Sequence, residues 1–239
     1  MSKPTVMVIG GTRGTGKEVV KQLIQKGIPC IVGARTPSKA FSLFGDRVDI
    51  VPIDVTRTES LQQSLLPNLQ ALIYTVDITG GLGGRGFFAS SSEIRKVVYQ
   101  GLVNTVDVAK KQGFVNQFIL LTTLGTRKPS WLIGLLDLIK PGILSACRDK
   151  VTYLENSGLP YTIIQAGLLH NWSTSPTALV IQQGEIKMSI KYQISRCHLA
   201  QVIVTSIANP DTYHKTFNVY GGKEKILNLD SIVTQFSVW

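Results

Sequence analysis

At 239 residues, 44% hydrophobic and 17% charged, the chain is long enough for one sizeable α/β domain and too apolar to be disordered. Its net charge of +10 is scattered from Lys3 to Lys225 in nothing longer than pairs such as Arg95-Lys96 and Lys110-Lys111. No nucleic-acid motif accompanies it, so a phosphate-bearing small ligand is expected and a nucleic-acid partner is not. The three cysteines, Cys30, Cys147 and Cys197, lack metal or redox spacing, which excludes a disulfide framework and predicts no metal site.

The amino terminus, Met1 to Gly11, runs directly into a strand, so no cleavable signal is expected and the cytoplasm is the expected compartment. Strands are predicted over Thr5–Ile9, Cys30–Gly33, Asp49–Ile53, Ala71–Thr75, Gln117–Thr122, Tyr161–Gln165 and near Phe217–Tyr220. Between them fall helices over Gly14–Gln25, Ser60–Leu65, Ser91–Gln112, Leu144–Asn156 and His198–Ala208. Val19, Val20, Leu23 and Ile24 share one face of the first helix; Val98, Leu102, Thr105 and Val106 share one face of the third. Ser90 with Glu93 forms a capping box. Alternating strands and helices predict a Rossmann-like doubly wound parallel sheet with helices on both faces, a single domain over 1–239. The apolar stretch Trp131 to Ala146 is broken by Asp137, Lys140 and Pro141 and is too short to span a bilayer. Ser173 to Tyr192 is mixed and turn-rich. Elaborations around the substrate site are expected near 79–92, 127–146 and 168–195.

The chemistry begins at Gly10-Gly-Thr-Arg-Gly-Thr-Gly16, placed between the first strand and the first helix. Gly10 permits a tight turn, while Gly14 and Gly16 let backbone approach a pyrophosphate and let helix pack on strand. The helix N-terminus then offers free N–H groups to the phosphates. Thr12, Arg13 and Thr15 belong to the same loop. A second match to the spacing, Gly81-Leu-Gly83-Gly-Arg-Gly86, follows its strand after a gap and leads into Phe87-Phe88 rather than a helix. Thr79 to Ala89, with five glycines, therefore reads as a mobile loop beside the nicotinamide half of the site, Phe87 and Phe88 closing over substrate or packing on the core. After the second strand, Arg35 stands where NAD enzymes usually place a carboxylate for the ribose 2′-OH. A guanidinium suits a 2′-phosphate, so the expected cofactor is NADP(H). Asp54, with Val55, is placed either to cap the adenine edge or as an ordinary turn residue. Thr75 and Val76, just past the fourth strand, complete the expected lining.

On these residues the chain resembles the atypical short-chain dehydrogenase/reductases of the NmrA-like type. The dehydrogenase-like domains of chloroplast-import-associated NADPH-binding proteins and their cyanobacterial relatives are especially similar. Further motifs carrying the resemblance are Ala34-Arg-Thr-Pro-Ser-Lys39, Ile53-Asp-Val55, Phe118-Ile-Leu-Leu-Thr-Thr-Leu-Gly-Thr126, Tyr153-Leu-Glu-Asn-Ser-Gly-Leu-Pro-Tyr-Thr-Ile-Ile164 and Ile194-Ser-Arg196. The resemblance implies an NADPH-dependent oxidoreductase or cofactor-dependent biosynthetic enzyme acting on a small apolar carbonyl or enone. None of the seven tyrosines, however, has a lysine four residues on, so the Tyr-x-x-x-Lys pair of conventional members is absent. The lysine that similar proteins carry early on the helix before the Tyr161 strand is replaced by Cys147, and their Arg-Pro-Gly reads Gln165-Ala-Gly167. A non-catalytic NADPH-binding redox sensor or assembly protein is the alternative. If the chain is an enzyme, the reacting group is expected near Thr122, Cys147, Lys150 and His170. Thr122 ends the strand that carries the serine of conventional members. Cys147 and Lys150 share a helix face, and the His170 imidazole can donate a proton near neutral pH. Each also has a structural alternative: a backbone-bonding threonine, a packing thiol, a solvated lysine, a satisfied core histidine. Nothing in the sequence sets the oligomeric state.

Overall fold

Strand β1 (Val6–Ile9) reads VMVI and is buried throughout. A continuous apolar run, rather than an alternating one, is what a strand covered on both faces requires. The same holds for β2 (Cys30–Ala34) and β4 (Ala71–Tyr74). The computed structural model describes residues 5–78, 89–128, 130–172 and 177–225. The expected glycine-rich loop over Thr79 to Ala89 lies outside these residues except for Ala89, as does 173–176. The three strands join β3 (Asp49–Pro52), β5 (Gln117–Thr123), β6 (Tyr161–Ala166), β8 (Thr177–Gln182) and β10 (Lys215–Lys225) in one eight-stranded sheet. Its order is β3-β2-β1-β4-β5-β6-β10-β8. Every neighbouring pair is parallel except β10 with β8. A second, two-stranded sheet pairs β7 (Leu168–His170) with β9 (Gln193–Ser195).

Two helical layers sandwich the large sheet, as the sequence pattern predicts. On one face α1 (Gly14–Gln25), α2 (Pro37–Phe44) and α8 (Arg196–Thr205) bury Val19, Leu23, Phe44, Leu199 and Ile203 against Val6, Val8, Ile164 and Phe217. On the other, α3 (Thr58–Ser64), α5 (Gly101–Lys111) and α7 (Ile143–Glu155) bury Leu61, Leu102, Val106 and Val151 against Met7, Leu72 and Phe118. Each such side chain contributes about 1.5–3 kcal/mol through burial. The single helix expected over Ser91–Gln112 is composite. The four-residue α4 (Ser91–Ile94) opens it with the Ser90–Glu93 capping box, and a π-helical stretch over Arg95–Gln100 precedes α5.

Three further elements correct the sequence reading. The helix α2 starts with Pro37 in its first turn, a position where the missing N–H costs nothing. The helix α6 (Trp131–Ile139) occupies the expected elaboration near 127–146. The third is β8: part of the stretch expected to be a turn-rich elaboration is an edge strand of the main sheet. Among the described residues no helix is long and apolar enough to cross a membrane.

The end of the sheet away from the strand C-termini is fastened by a buried amide. Gln117, at the start of β5, is fully buried. Its Nε2 donates to Thr162 Oγ1 at 2.8 Å and to the Ser206 carbonyl at 2.9 Å, and its Oε1 accepts from the Ala208 N–H at 2.8 Å. Ala208 holds φ +52°, a left-handed conformation that an alanine adopts only where its surroundings fix it. Gln117→Leu removes all three of these bonds from a buried network, so unfolding free energy should fall by about 2–4 kcal/mol. Urea denaturation measures this. A loss below about 1 kcal/mol would show that the network is dispensable.

Candidate cofactor and active site

The chain runs from β1 outward to β2 and β3 and then returns to β4 on the opposite side of β1. At such a reversal the loops beyond neighbouring strands diverge and leave a crevice. Gly10 leaves β1 there with φ +91°, and Thr75 leaves β4 beside it, its N–H 3.0 Å from the Ile9 carbonyl. A Cβ on Gly10 would lie 2.7 Å from Thr75 Oγ1. One on Gly16 would lie 2.4 Å both from the Gly10 carbonyl oxygen and from Thr75 Oγ1. Neither position accepts a side chain, so α1 seats directly on the strand ends. Its N-cap is Arg13, which caps nothing through its side chain, and no acid stands in the first turn. The leading amides of α1 are thus left to a ligand. Thr15 Oγ1 is buried with no hydrogen-bond partner among the described residues. A cradle without Cβ atoms, uncapped amides and an orphan hydroxyl fit a dinucleotide pyrophosphate.

The remaining cofactor candidates surround this crevice. Arg35, directly after β2, is exposed. Asp54 does hold a turn: its Oδ1 accepts from the Thr56 N–H at 3.0 Å and hydroxyl at 2.7 Å. Val55 is buried, and its carbonyl accepts from Asn104 Nδ2 at 2.9 Å. Thr12, Thr75 and Val76 are half-buried.

Of the four candidate catalytic residues, three gather on one face. Thr122 near the end of β5 and Cys147 and Lys150 of α7 are all buried. Burial pushes the Cys147 thiol up, and the Asp77 carboxylate adds to this; Lys150, the Thr122 hydroxyl and Lys140 pull it down without reversing the shift. The Thr122 hydroxyl bears on the thiol but forms no well-made hydrogen bond. A thiol so held stays protonated and is no nucleophile at neutral pH; it packs with Ile94, Val98, Ile143 and Ala146. Lys150 is 1% exposed. Among the described residues it has no carboxylate or hydrogen-bond partner, so the expectation of either a site lysine or a solvated helix charge resolves against solvent.

His170 belongs to a different group. In β7 it pairs with Ser195 of β9, its ring lies 5.1 Å from that of Trp172, and its Nδ1 is buried without a partner among the described residues. With Ser195 and His198 it lines a cavity of about 40 Å³. His198 Nδ1 lies 2.8 Å from Ser195 Oγ. Burial, reinforced by the neighbouring His170, holds the His198 imidazole below its ordinary value. A larger cavity of about 260 Å³, lined by Thr126, Arg127, Glu155, Gln165 and Lys215 among others, contains none of the expected site residues.

One residue at the crevice was not assigned a role from sequence. Arg196, the first residue of α8, reaches over the glycine loop: a Cβ on Gly14 would lie 3.5 Å from its Nε. Its only signal in the sequence is the motif Ile194-Ser-Arg196.

A profile of the NAD(P)H-binding family matches residues 10–210. An uncharacterised chloroplastic protein of Arabidopsis thaliana is 31% identical over 231 residues, covering 92% of this chain and 77% of that one. The chloroplastic protein TIC 62 of Pisum sativum is 27% identical over 228 residues, covering 86% of this chain but 40% of its own length. The oxidoreductase ylbE of Lactococcus lactis has a TM-score of 0.74 at 22% identity, over 98% of this chain and 97% of that one. The last likeness is one of fold. The match over 10–210 takes in the crevice from the glycine loop to Arg196, and the chain belongs to the NAD(P)H-binding family, with a Rossmann-like fold.

Proposed function

We propose that the chain is an NADPH-dependent reductase of a small apolar carbonyl or enone compound. The uncapped amides of α1 hold the pyrophosphate, with Gly10, Gly14 and Gly16 leaving room for it. Arg35 receives the 2′-phosphate, assisted by Arg13. Asp54 and Val55 border the adenine, and Thr75 and Val76 line the path toward the nicotinamide. The absence of an acid after β2 supports NADP over NAD, because a carboxylate there would repel the phosphate. The free thiols of Cys30, Cys147 and Cys197 support a reducing compartment, the cytoplasm or a plastid equivalent.

The observation that carries the enzymatic reading is Lys150. Among the described residues this buried amine has no carboxylate partner, and a buried polar group left unpaired costs free energy. A bound nicotinamide cofactor would supply the hydride. Lys150 Nζ, with three donors and a full charge, then orients the substrate oxygen and gives it a proton, in place of the missing tyrosine. Thr122 offers its unpartnered hydroxyl to the same oxygen. Cys147 shapes the pocket as a neutral packing group. His170, grouped with His198, stands outside the chemistry. A second reading, an NADPH-binding sensor or assembly protein without turnover, draws support from the near-complete burial of Lys150.

Wild type should bind NADPH about 10- to 100-fold more tightly than NADH, the equivalent of one charge-assisted contact. Arg35→Ala should erase most of the difference. Fluorescence titration of both cofactors checks this, and equal wild-type affinities would remove NADP from the assignment.

Lys150→Met should pull stability and activity in opposite directions. Removing a buried unpaired charge should raise unfolding free energy by on the order of 1–3 kcal/mol. Turnover of a carbonyl or enone substrate should fall at least tenfold, about 1.4 kcal/mol of barrier. His170→Ala should lose less than tenfold. A panel of such substrates that leaves NADPH unoxidised would favour the sensor reading. Undiminished turnover in Lys150→Met would take the lysine out of the chemistry.

A further inference from the structure

The N-terminal residues of α1 and α8 meet over the glycine loop, because α8 packs along α1 and Arg196 lies against Gly14. Arg196 is half-buried as a residue, and its Nη1 donates to Asn171 Oδ1 at 2.7 Å. That partner is neutral. Among the described residues no carboxylate lies within ion-pair distance of Arg196. Burial lowers its pKa, the mark of a charge withdrawn from water without compensation. A fixed cation with no counter-ion, beside helix amides that no side chain caps, is a complete receptor for an anion with several oxygens.

We infer that Arg196 clamps the cofactor pyrophosphate from the α8 side, facing the α1 amides, and that Asn171 sets the plane of its guanidinium. This rests on the dinucleotide reading above. It adds a second arginine with a separate task. Arg35 follows β2, at the adenosine end, and answers a group that only NADPH carries. Arg196 lies over the glycine loop and answers a group that NADPH and NADH share. Asn171 ties this contact to the strand that carries His170, so the clamp is built from the α8 face of the sheet, the face opposite Lys150.

The two arginines separate in one titration experiment. Wild type, Arg196→Ala, Arg196→Lys and Asn171→Ala are each titrated with NADPH, NADH and adenosine 2′-monophosphate, which has no pyrophosphate. Arg196→Ala should weaken both dinucleotides by a similar factor, roughly 10- to 100-fold, and leave the monophosphate unchanged. Arg196→Lys should recover part of the loss, since a lysine keeps the charge but not the planar fork. Asn171→Ala should lose less than Arg196→Ala. Unchanged dinucleotide affinity in Arg196→Ala overturns the inference while leaving the cofactor reading intact. An equal loss for the monophosphate overturns it too, by showing general damage to the loop. A wild type that binds neither dinucleotide ends both readings together.

Discussion

Everything at the ligand end of this molecule depends on how closely α1 approaches the ends of β1 and β4. Two positions where even a methyl group is excluded, Gly10 and Gly16, set that approach. Because α1 sits so low, its leading amides open onto the crevice between the two strands instead of being shielded by a loop. Because α8 packs along α1, the same seating fixes where Arg196 stands. Larger residues at Gly10 or Gly16 would lift the helix and separate the amides, the arginine and Thr75 from one another. The glycines act here through the space they leave, more than through chain flexibility.

The polar residues beyond this loop divide between the two faces of the sheet. Thr122, Cys147 and Lys150 lie on the α7 face, and His170, Ser195, His198 and Arg196 on the α8 face. The first group is buried and includes a lysine amine; the second is mostly half-buried and rich in imidazole. A charge kept in an apolar layer is a standing cost in stability, and sequences drift away from such costs when nothing opposes the drift. The thiol next to Lys150 adds no compensating negative charge, since burial keeps it protonated. In the proposed function, this separation puts substrate chemistry in one layer and anion recognition in the other.

Much of the fold was legible because parallel strands buried on both faces leave uninterrupted apolar runs, as in Val6–Ile9 and Ala71–Tyr74. The extent of α1, Gly14–Gln25, could be read to the residue, since its start is fixed by the glycine loop and its inner face by Val19, Val20 and Leu23. Strand β8 escaped because an edge strand is apolar only where it meets the core, and Leu179 and Ile181 alone are too brief a signal. The helix α2 gives little sequence signal because it is only eight residues long and buries just Ala40 and Phe44. The turn of the glycine loop into α1 was readable since it follows from local spacing. Arg196 was not, because its place over Gly14 comes from the packing of two helices far apart in the chain. His170 shows a related limit: lying beyond a strand end locates a residue along the sheet but not which layer it joins.

The order of strands has a consequence for how the chain assembles. Strand β10 lies between β6 and β8 and is the last of them in the sequence, while β8 pairs in the main sheet with β10 alone. During synthesis β8 therefore emerges before the strand it needs, and β6 waits with one edge open. Until β10 arrives, the half-built sheet exposes two sets of unsatisfied backbone groups beside apolar side chains such as Leu179 and Ile181, the combination that recruits neighbouring chains into aggregates. The ribosome thus releases the cofactor crevice, whose strands β1 to β4 can pair early, well ahead of the seam that completes the sheet. An early-bound dinucleotide would hold the first half in register while the second half is still being made.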